Sequence, residues 1–326
     1  MKKFLSYFLL AAILPAFILT GCKKDDDKGT FTTLANYMTS NDLDLPDLLD
    51  AWIIAPTLTT EGGIVDSADG YSIPAYHVFD IRKAADFGNG HVKGAINVAL
   101  TDVLTKAAEV GKDKPILVIC YSGQTASRAV VALRLSGYKD AKVMKFGMSY
   151  WNPVFDKWTA NTSDQADNSA NWVTDASAAL PVNTYPQWTS ASTDGATILA
   201  EHVTTMLANT SWLVHSSDIL AAPESQNIYN FWDEATYLSI GHFKGAYQYN
   251  PISITGDVLQ ALPTSAECLV YCYTGQTSSM AVAWLQVLGY NAKSIAYGAN
   301  SLRYTALVDA SKPAWKHAHD YGYVTE

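Results

Sequence analysis

One passage is written twice in this chain, and that repetition constrains the fold more than any other feature. Residues 114–138 read KPILVICYSGQTASRAVVALRLSGY, and residues 267–290 read ECLVYCYTGQTSSMAVAWLQVLGY. Their cysteines, Cys120 and Cys272, stand 152 positions apart, and the GHVKGA that starts at Gly90 recurs as GHFKGA from Gly241, 151 positions on. Two motifs in the same order at nearly one offset mark an internal duplication. In the first copy an apolar run over 116–119 ends at Cys120, a short loop follows, and Ala129, Val130, Ala132, Leu133 and Leu135 recur at helical spacing before Gly137. The pattern predicts strand, tight loop, helix, with a cysteine where the strand ends. An open α/β sheet places its chemistry at that end.

A chain of 326 residues accommodates two domains of ordinary size, each able to bury its own core. The rest of the sequence reads as strands alternating with helices. Strands are predicted over 76–81, 95–98 and 141–146 in the first half, and over 212–215, 228–232 and 293–297 in the second. Helices are predicted over 102–110, 196–207 and 255–262, with a terminal helical region over 302–319. This alternation predicts two α/β domains, each a mainly parallel sheet flanked by helices. Between them, residues rich in Asn, Asp, Ser and Thr form a linker, with Trp172 and Val173 as its anchor.

The N-terminus reads as a targeting segment. Lys2 and Lys3 precede an apolar run broken by Pro15 and too short for a membrane span, and the run closes on Leu19-Thr20-Gly21-Cys22. That ending resembles the lipobox of bacterial lipoproteins, which implies cleavage before Cys22 and lipidation of its sulfur. The following Lys23-Lys24-Asp25-Asp26-Asp27-Lys28 resembles the surface-export signals of Bacteroidetes lipoproteins and implies an outer-membrane anchor in the cell envelope. The expected organisation is a signal peptide over 1–21, a lipidated tether over 22–33, a first domain over 34–158, a linker over 159–190 and a second domain over 191–326.

With Cys22 lipidated, Cys120, Cys268 and Cys272 remain, an odd number that argues against a disulfide framework and for a free thiol. Cys268 reads as a core residue. A formal charge of −9 excludes a general nucleic-acid surface. No His, Asp and Cys cluster has metal-ligand spacing, so neither a metal nor a cofactor is expected.

A thiol at the mouth of a strand–loop–helix turn meets inward-pointing backbone N–H groups and a helix N-terminus, which favour a thiolate and an anionic adduct such as a persulfide. Gly123 and Gly275 let the loops curl, while Gln124, Gln276, Ser122 and Thr274 line them with uncharged polar groups.

These features together resemble the tandem rhodanese (sulfurtransferase) family. Cys120-Tyr121-Ser122-Gly123-Gln124-Thr125 and Cys272-Tyr273-Thr274-Gly275-Gln276-Thr277 are similar to its six-residue active-site loop, Asp80-Ile81-Arg82 to its Asp-x-Arg strand end, and Gly90-His91 with Gly94-Ala95 to its Gly-His-x-x-Gly-Ala element. The resemblance implies rhodanese-like domains and a Cys120 or Cys272 thiolate that takes a sulfane sulfur from thiosulfate or a polysulfide-like donor. The resulting persulfide passes its sulfur to cyanide or a thiol. The substrate would lie against the loops up to Ala126 and Ser278. Asp80, Arg82, His91 and His242 read as structural. Arg128 reads as a solvated helix residue, with a substrate clamp as the alternative.

Two departures stand out. Where the family often carries arginines, this chain has Tyr121 and Thr125, and Tyr273 and Thr277, so a less cationic rim is expected. Counting back from His242 places Phe231 and Asp233 where Asp80 and Arg82 stand, so the second half lacks that element. Ala126 and Ser278 occupy the place where related phosphatases need arginine, which disfavours phosphatase chemistry. The other readings are a non-catalytic scaffold that keeps the fold, and a thiol redox or sulfide-sensing protein.

Overall fold

The computed structural model describes residues 29–325. The segment expected to be a signal peptide, and Cys22, lie outside the described residues. In chain order the strands are β1 (Ile53–Ile54), β2 (His77–Asp80), β3 (Ile96–Asn97), β4 (Ile116–Ile119), β5 (Lys142–Met144), β6 (Trp172–Val173), β7 (Leu213–Val214), β8 (Ile228–Asn230), β9 (His242–Phe243), β10 (Tyr247–Gln248), β11 (Cys268–Tyr271) and β12 (Ala292–Ile295). Ten of them form two five-stranded sheets, β1-β5-β4-β2-β3 and β7-β12-β11-β8-β10, which are one topology used twice, while β6 and β9 pair with each other. Every neighbouring pair in both sheets is parallel. The chain is therefore two α/β domains, each a parallel sheet flanked by helices. The central strands β4 and β11 are buried at every position, as their unbroken apolar runs require of strands covered on both faces.

The two halves do not keep separate cores. The helices Gln124–Leu135 and Gln276–Val287 pack against each other between the sheets, and one apolar cluster runs from Leu34 and Met38 through Val130 and Leu133 to Ala281 and Trp284. Every residue of Gln124–Leu135 except Thr125 is buried. A helix covered on one side by its own sheet and on the other by its duplicate has no solvent face, which is why the apolar residues of this helix are not confined to one stripe. Separate clusters fill the outer faces: Val78, Leu117, Ile119 and Trp151 behind the first sheet, and Ile228, Leu269, Tyr271 and Ile295 behind the second. Trp172 and Val173 pair antiparallel with Phe243 and His242, fastening the 159–190 segment to the second half.

The chain's end departs from the sequence expectation. Only Tyr304–Asp309 is helical, not 302–319. Pro313 disfavours helix in the residue before it. The chain then returns across the first half as a strap: Trp315 is buried against Phe146 and Trp158, Trp151 Nε1 donates to Gly322 O at 2.8 Å, and His91 and Val324 exchange backbone hydrogen bonds of 2.9 and 3.0 Å.

Candidate active site

Cys120 directly follows the last residue of β4, and the loop turns back into the helix Gln124–Leu135 at Gly123, whose φ is +83°. That left-handed backbone strains any residue with a Cβ. The turn brings two donors onto the sulfur: Gly123 N–H and Ala126 N–H reach Cys120 Sγ at 3.1 and 3.4 Å. The donors converge because the loop carbonyls are held outside. Cys120 O accepts from Met148 N at 2.8 Å, Tyr121 O from Ser149 N at 3.0 Å and from Ser149 Oγ at 2.7 Å, and Ser122 O from Trp158 Nε1 at 3.3 Å. With every carbonyl engaged elsewhere, the free backbone groups inside the curl are N–H groups, and the curl is a nest for negative charge.

The second loop repeats the plan with fewer contacts. Gly275 has φ +74°, Cys272 Sγ receives Ser278 N–H at 3.3 Å, and Ala299 and Asn300 hold the carbonyls of Cys272 and Tyr273.

Both cysteines are buried, Cys120 at 5% exposure and Cys272 at 2%. Burial pushes the Cys120 thiol up, and the N–H groups of Ala126, Ser122, Gly123 and Thr125 pull it down without cancelling that rise. Only the second effect is visible in the sequence. In this closed state desolvation wins.

Of the loop residues, Tyr121 and Thr125, and their counterparts Tyr273 and Thr277, are half-buried and the others buried. These are the positions where the family resemblance would place arginine. Cations come from elsewhere instead. Arg82 Cζ and Lys157 Nζ lie 5.1 and 5.4 Å from the centre of the Tyr121 ring, and Lys312 Nζ lies 5.9 Å from that of Tyr273. Arg82 is paired with the buried Asp80, and Lys312 lies 3.6 Å from Asp233, so both bring a balancing negative charge with them. The lysines sit more than thirty residues past each cysteine, with no local pattern to tie them to it.

Asp80 is fully buried and receives Arg82 Nε at 2.9 Å and Nη2 at 2.6 Å, while Arg82 Nη2 also donates to Gly90 O at 2.7 Å, tying the end of β2 to the glycine turn. His91 stacks on Phe87 and its Nδ1 lies 2.9 Å from Phe87 O. His242 stacks on Tyr237 and its Nε2 lies 2.8 Å from Asp175 O. Ser122 Oγ accepts from Gln124 Nε2 and Thr274 Oγ1 from Gln276 N, each within its own loop, while Ser278 Oγ meets Ser294 Oγ of β12 at 2.8 Å.

Three expectations need correction. Arg128 is neither solvated nor at the loop: it is fully buried, donates to Met206 O at 2.5 Å, Asn209 O at 3.3 Å and Gln286 Oε1 at 2.9 Å, and lies over Trp212. Burial lowers its pKa to about 9, which keeps the guanidinium charged at neutral pH. Gln124 and Gln276 do not confine themselves to their own loops, since each side-chain oxygen crosses to the other half. Strand register, finally, places Asn230 and Trp232, not Phe231 and Asp233, where the first half has Asp80 and Arg82. Asp80 pairs with Ile119 and Asn230 with Tyr271, each partner directly preceding its cysteine. The second half carries one extra residue between that strand end and its histidine.

Sequence reasoning also missed Tyr297. It belongs to the second half, and burial, with the charges of Cys120 and Asp156 adding to it, pushes its phenol up to about 12. Its ring meets Trp158 edge-on at 4.9 Å.

A family model described as the rhodanese-like domain matches residues 68–153. The thiosulfate sulfurtransferase GlpE of Shewanella oneidensis is 31% identical over 75 residues, covering 23% of this chain and 74% of that protein. The corresponding GlpE of Ectopseudomonas mendocina is 31% identical over 91 residues, covering 27% of this chain and 81% of that protein. Protein YibN of Escherichia coli, itself uncharacterized, is 35% identical over 79 residues, and this chain spans 54% of its length. With the matched segment containing β2, β4 and the Cys120 loop, and with the same sheet built a second time, the chain belongs to the rhodanese-like family.

Proposed function

We propose that the protein is a sulfurtransferase that carries sulfane sulfur on Cys120. The observation that carries this reading is the pair of N–H groups, from Gly123 and Ala126, on the Cys120 sulfur. In the proposed cycle the Cys120 thiolate attacks the outer sulfur of thiosulfate. The new S–S bond forms as the old one breaks, and sulfite leaves with the electron pair. The terminal persulfide sulfur is then anionic, and the nest offers it hydrogen bonds from fixed donors that need no reorganisation. Cyanide, or a thiolate acceptor, attacks that outer sulfur and returns Cys120 as thiolate. Lys157, whose Nζ lies 5.4 Å from the centre of the Tyr121 ring, supports an anionic donor. Thiosulfate and inorganic polysulfide are both admitted on these grounds.

Cys272 receives one N–H where Cys120 receives two, and its half has Asn230 and Trp232 in place of the ion pair. We infer a weaker or structural second site. Mass spectrometry of the purified protein after exposure to thiosulfate or to polysulfide tests both parts. One added sulfur atom on Cys120, lost in Cys120→Ala and retained in Cys272→Ala, is the expected result. No adduct from either donor sinks the reading in favour of a scaffold that keeps the fold.

We also propose, from the sequence alone, that Cys22 is lipidated and anchors the protein in a bacterial envelope, most simply at the outer membrane. Cys22→Ser should then move the full chain from the membrane fraction to the soluble one.

A further inference from the structure

The two cysteine loops meet across the interface, and the contact is reciprocal. Gln276 Oε1 accepts from Phe146 N at 2.9 Å, and Gln124 Oε1 accepts from Tyr297 N at 2.8 Å. Both glutamines are buried, at 1% and 2% exposure. Phe146 and Tyr297 both have φ +59°, a left-handed backbone uncommon for bulky residues. The same Gln276 oxygen presses on Gly123, where a Cβ would collide with it, and Gln124 Oε1 presses on Gly275 in the same way.

These contacts converge on the sulfur by two routes. Gly123 supplies the shorter of the two N–H contacts to Cys120 Sγ. Phe146 leads directly into Met148 and Ser149, whose N–H groups hold the carbonyls of Cys120 and Tyr121 outside the curl. Gln276 therefore touches the glycine that donates and fixes the backbone that turns the acceptors away. Neither task can be done from within the first loop, because the own-loop glutamine, Gln124, has its oxygen engaged on the opposite side.

We propose that Gln276 is a positioning residue for Cys120, and Gln124 for Cys272, so that each sulfur nest is completed by the other half of the chain. The duplication then has a chemical consequence: the half with the weaker site still supplies a part to the stronger one. This extends the sulfur-carrier reading by assigning a role to the second half. It also stands apart from it, because it concerns the reactivity of the thiol before any sulfur arrives.

The test is the pH profile of iodoacetamide alkylation at Cys120 in the full chain, read by peptide mass spectrometry, with thermal unfolding followed in parallel. Gln276→Ala and Gln276→Met, the latter keeping length but losing the oxygen, should slow Cys120 alkylation about five- to tenfold at fixed pH, less than the full loss of a hydrogen bond to a charge because the Gly123 N–H is loosened and not removed. Both should move the profile to higher pH. Gln286→Ala removes a different contact across the same interface, the acceptor of Arg128 Nη1, and should leave the profile where it is. The proposal is overturned if the Gln276 variants match the wild type or merely track Gln286→Ala. A profile that moves to lower pH, the result of simple exposure, overturns it too. Sulfur loading does not enter the measurement, so failure of the sulfur-carrier reading would leave these outcomes unchanged.

Discussion

Asp80 and Asn230 occupy one position in two copies of the same sheet, each paired in register with the residue before a loop cysteine. In the first copy the carboxylate is bound to Arg82 with both groups out of water. In the second the amide has no partner for either Oδ1 or Nδ2 among the described residues, and Trp232 stands where the arginine was. The molecule thus holds its own double substitution, and it tells how the pair should respond to mutation.

Arg82→Met leaves the Asp80 carboxylate buried without its cation, and unfolding in urea should show a loss of about 3–5 kcal/mol. The double change Asp80→Asn with Arg82→Trp removes both charges at once and copies the second half. It should recover most of that loss. A double variant no more stable than Arg82→Met would mean the pair does more than neutralise itself.

The Cys120 thiol is pushed up from its ordinary value of 9.0, chiefly by burial. The thiolate fraction therefore rises with pH across the range above 9.0. Alkylation of Cys120 in the folded chain should still be climbing there, where the same cysteine in the urea-unfolded chain has levelled off. The sign for stability follows: the folded state holds this proton more tightly than the unfolded state. The contribution is complete below the unfolded pKa and is lost as pH rises through the folded one. A Cys120 profile that levels off below the unfolded one would show that the N–H groups outweigh burial in solution.

Cys268 offers an internal control. It is fully buried within β11, and burial, with the Glu267 charge adding to it, raises its thiol to about 12. Under native conditions it should stay unlabelled while Cys120 reacts, and label only at the rate of unfolding. Labelling of Cys268 ahead of Cys120 would contradict the packing described for β11.

Much of this architecture was legible in the sequence, and the illegible parts share a cause. The strand–cysteine–loop–helix passage could be read because its signals are local: an apolar run, a glycine able to take positive φ, a helical period. Arg128 could not, because a charged residue on a helix looks solvated until the second copy is known to cover that face. Lys157 and Lys312 reach their tyrosines through tertiary structure alone. The Asn230 register slipped because one extra residue lies between it and His242. Gln124 and Gln276 were found as loop residues, but their destination depends on two halves packing as one core.

Arg128 now reads as a cap across the interface. Its guanidinium donates to Met206 O and Asn209 O at the C-terminal end of the helix Gly195–Ala208, where a cation also meets the negative end of the helix dipole. Arg128→Met should cost about 2–4 kcal/mol from the lost charged hydrogen bonds. In the folded fraction, sulfur loading of Cys120 should be unchanged, since the side chain's hydrogen bonds go to Met206, Asn209 and Gln286 and not to the loop. Loading lost at unchanged stability would instead restore the clamp reading.

The strap makes the first half depend on the chain's last residues. Tyr321 is buried against Trp151, whose indole N–H donates to Gly322 O, and His319 N and Tyr321 N donate to the carbonyls of Tyr150 and Trp151. Tyr150 and Trp151 follow directly on Met148 and Ser149, which hold the carbonyls of the Cys120 loop. Ending the chain after Trp315 removes these contacts but keeps the aromatic cluster around Trp158. Losing one buried aromatic and baring part of another should destabilise the first half by about 3 kcal/mol. Amide exchange should then quicken over 147–155 and in the Cys120 loop and remain slow in β8 and β11. Equal quickening in both sheets would show instead that the shared core passes the loss to the whole molecule.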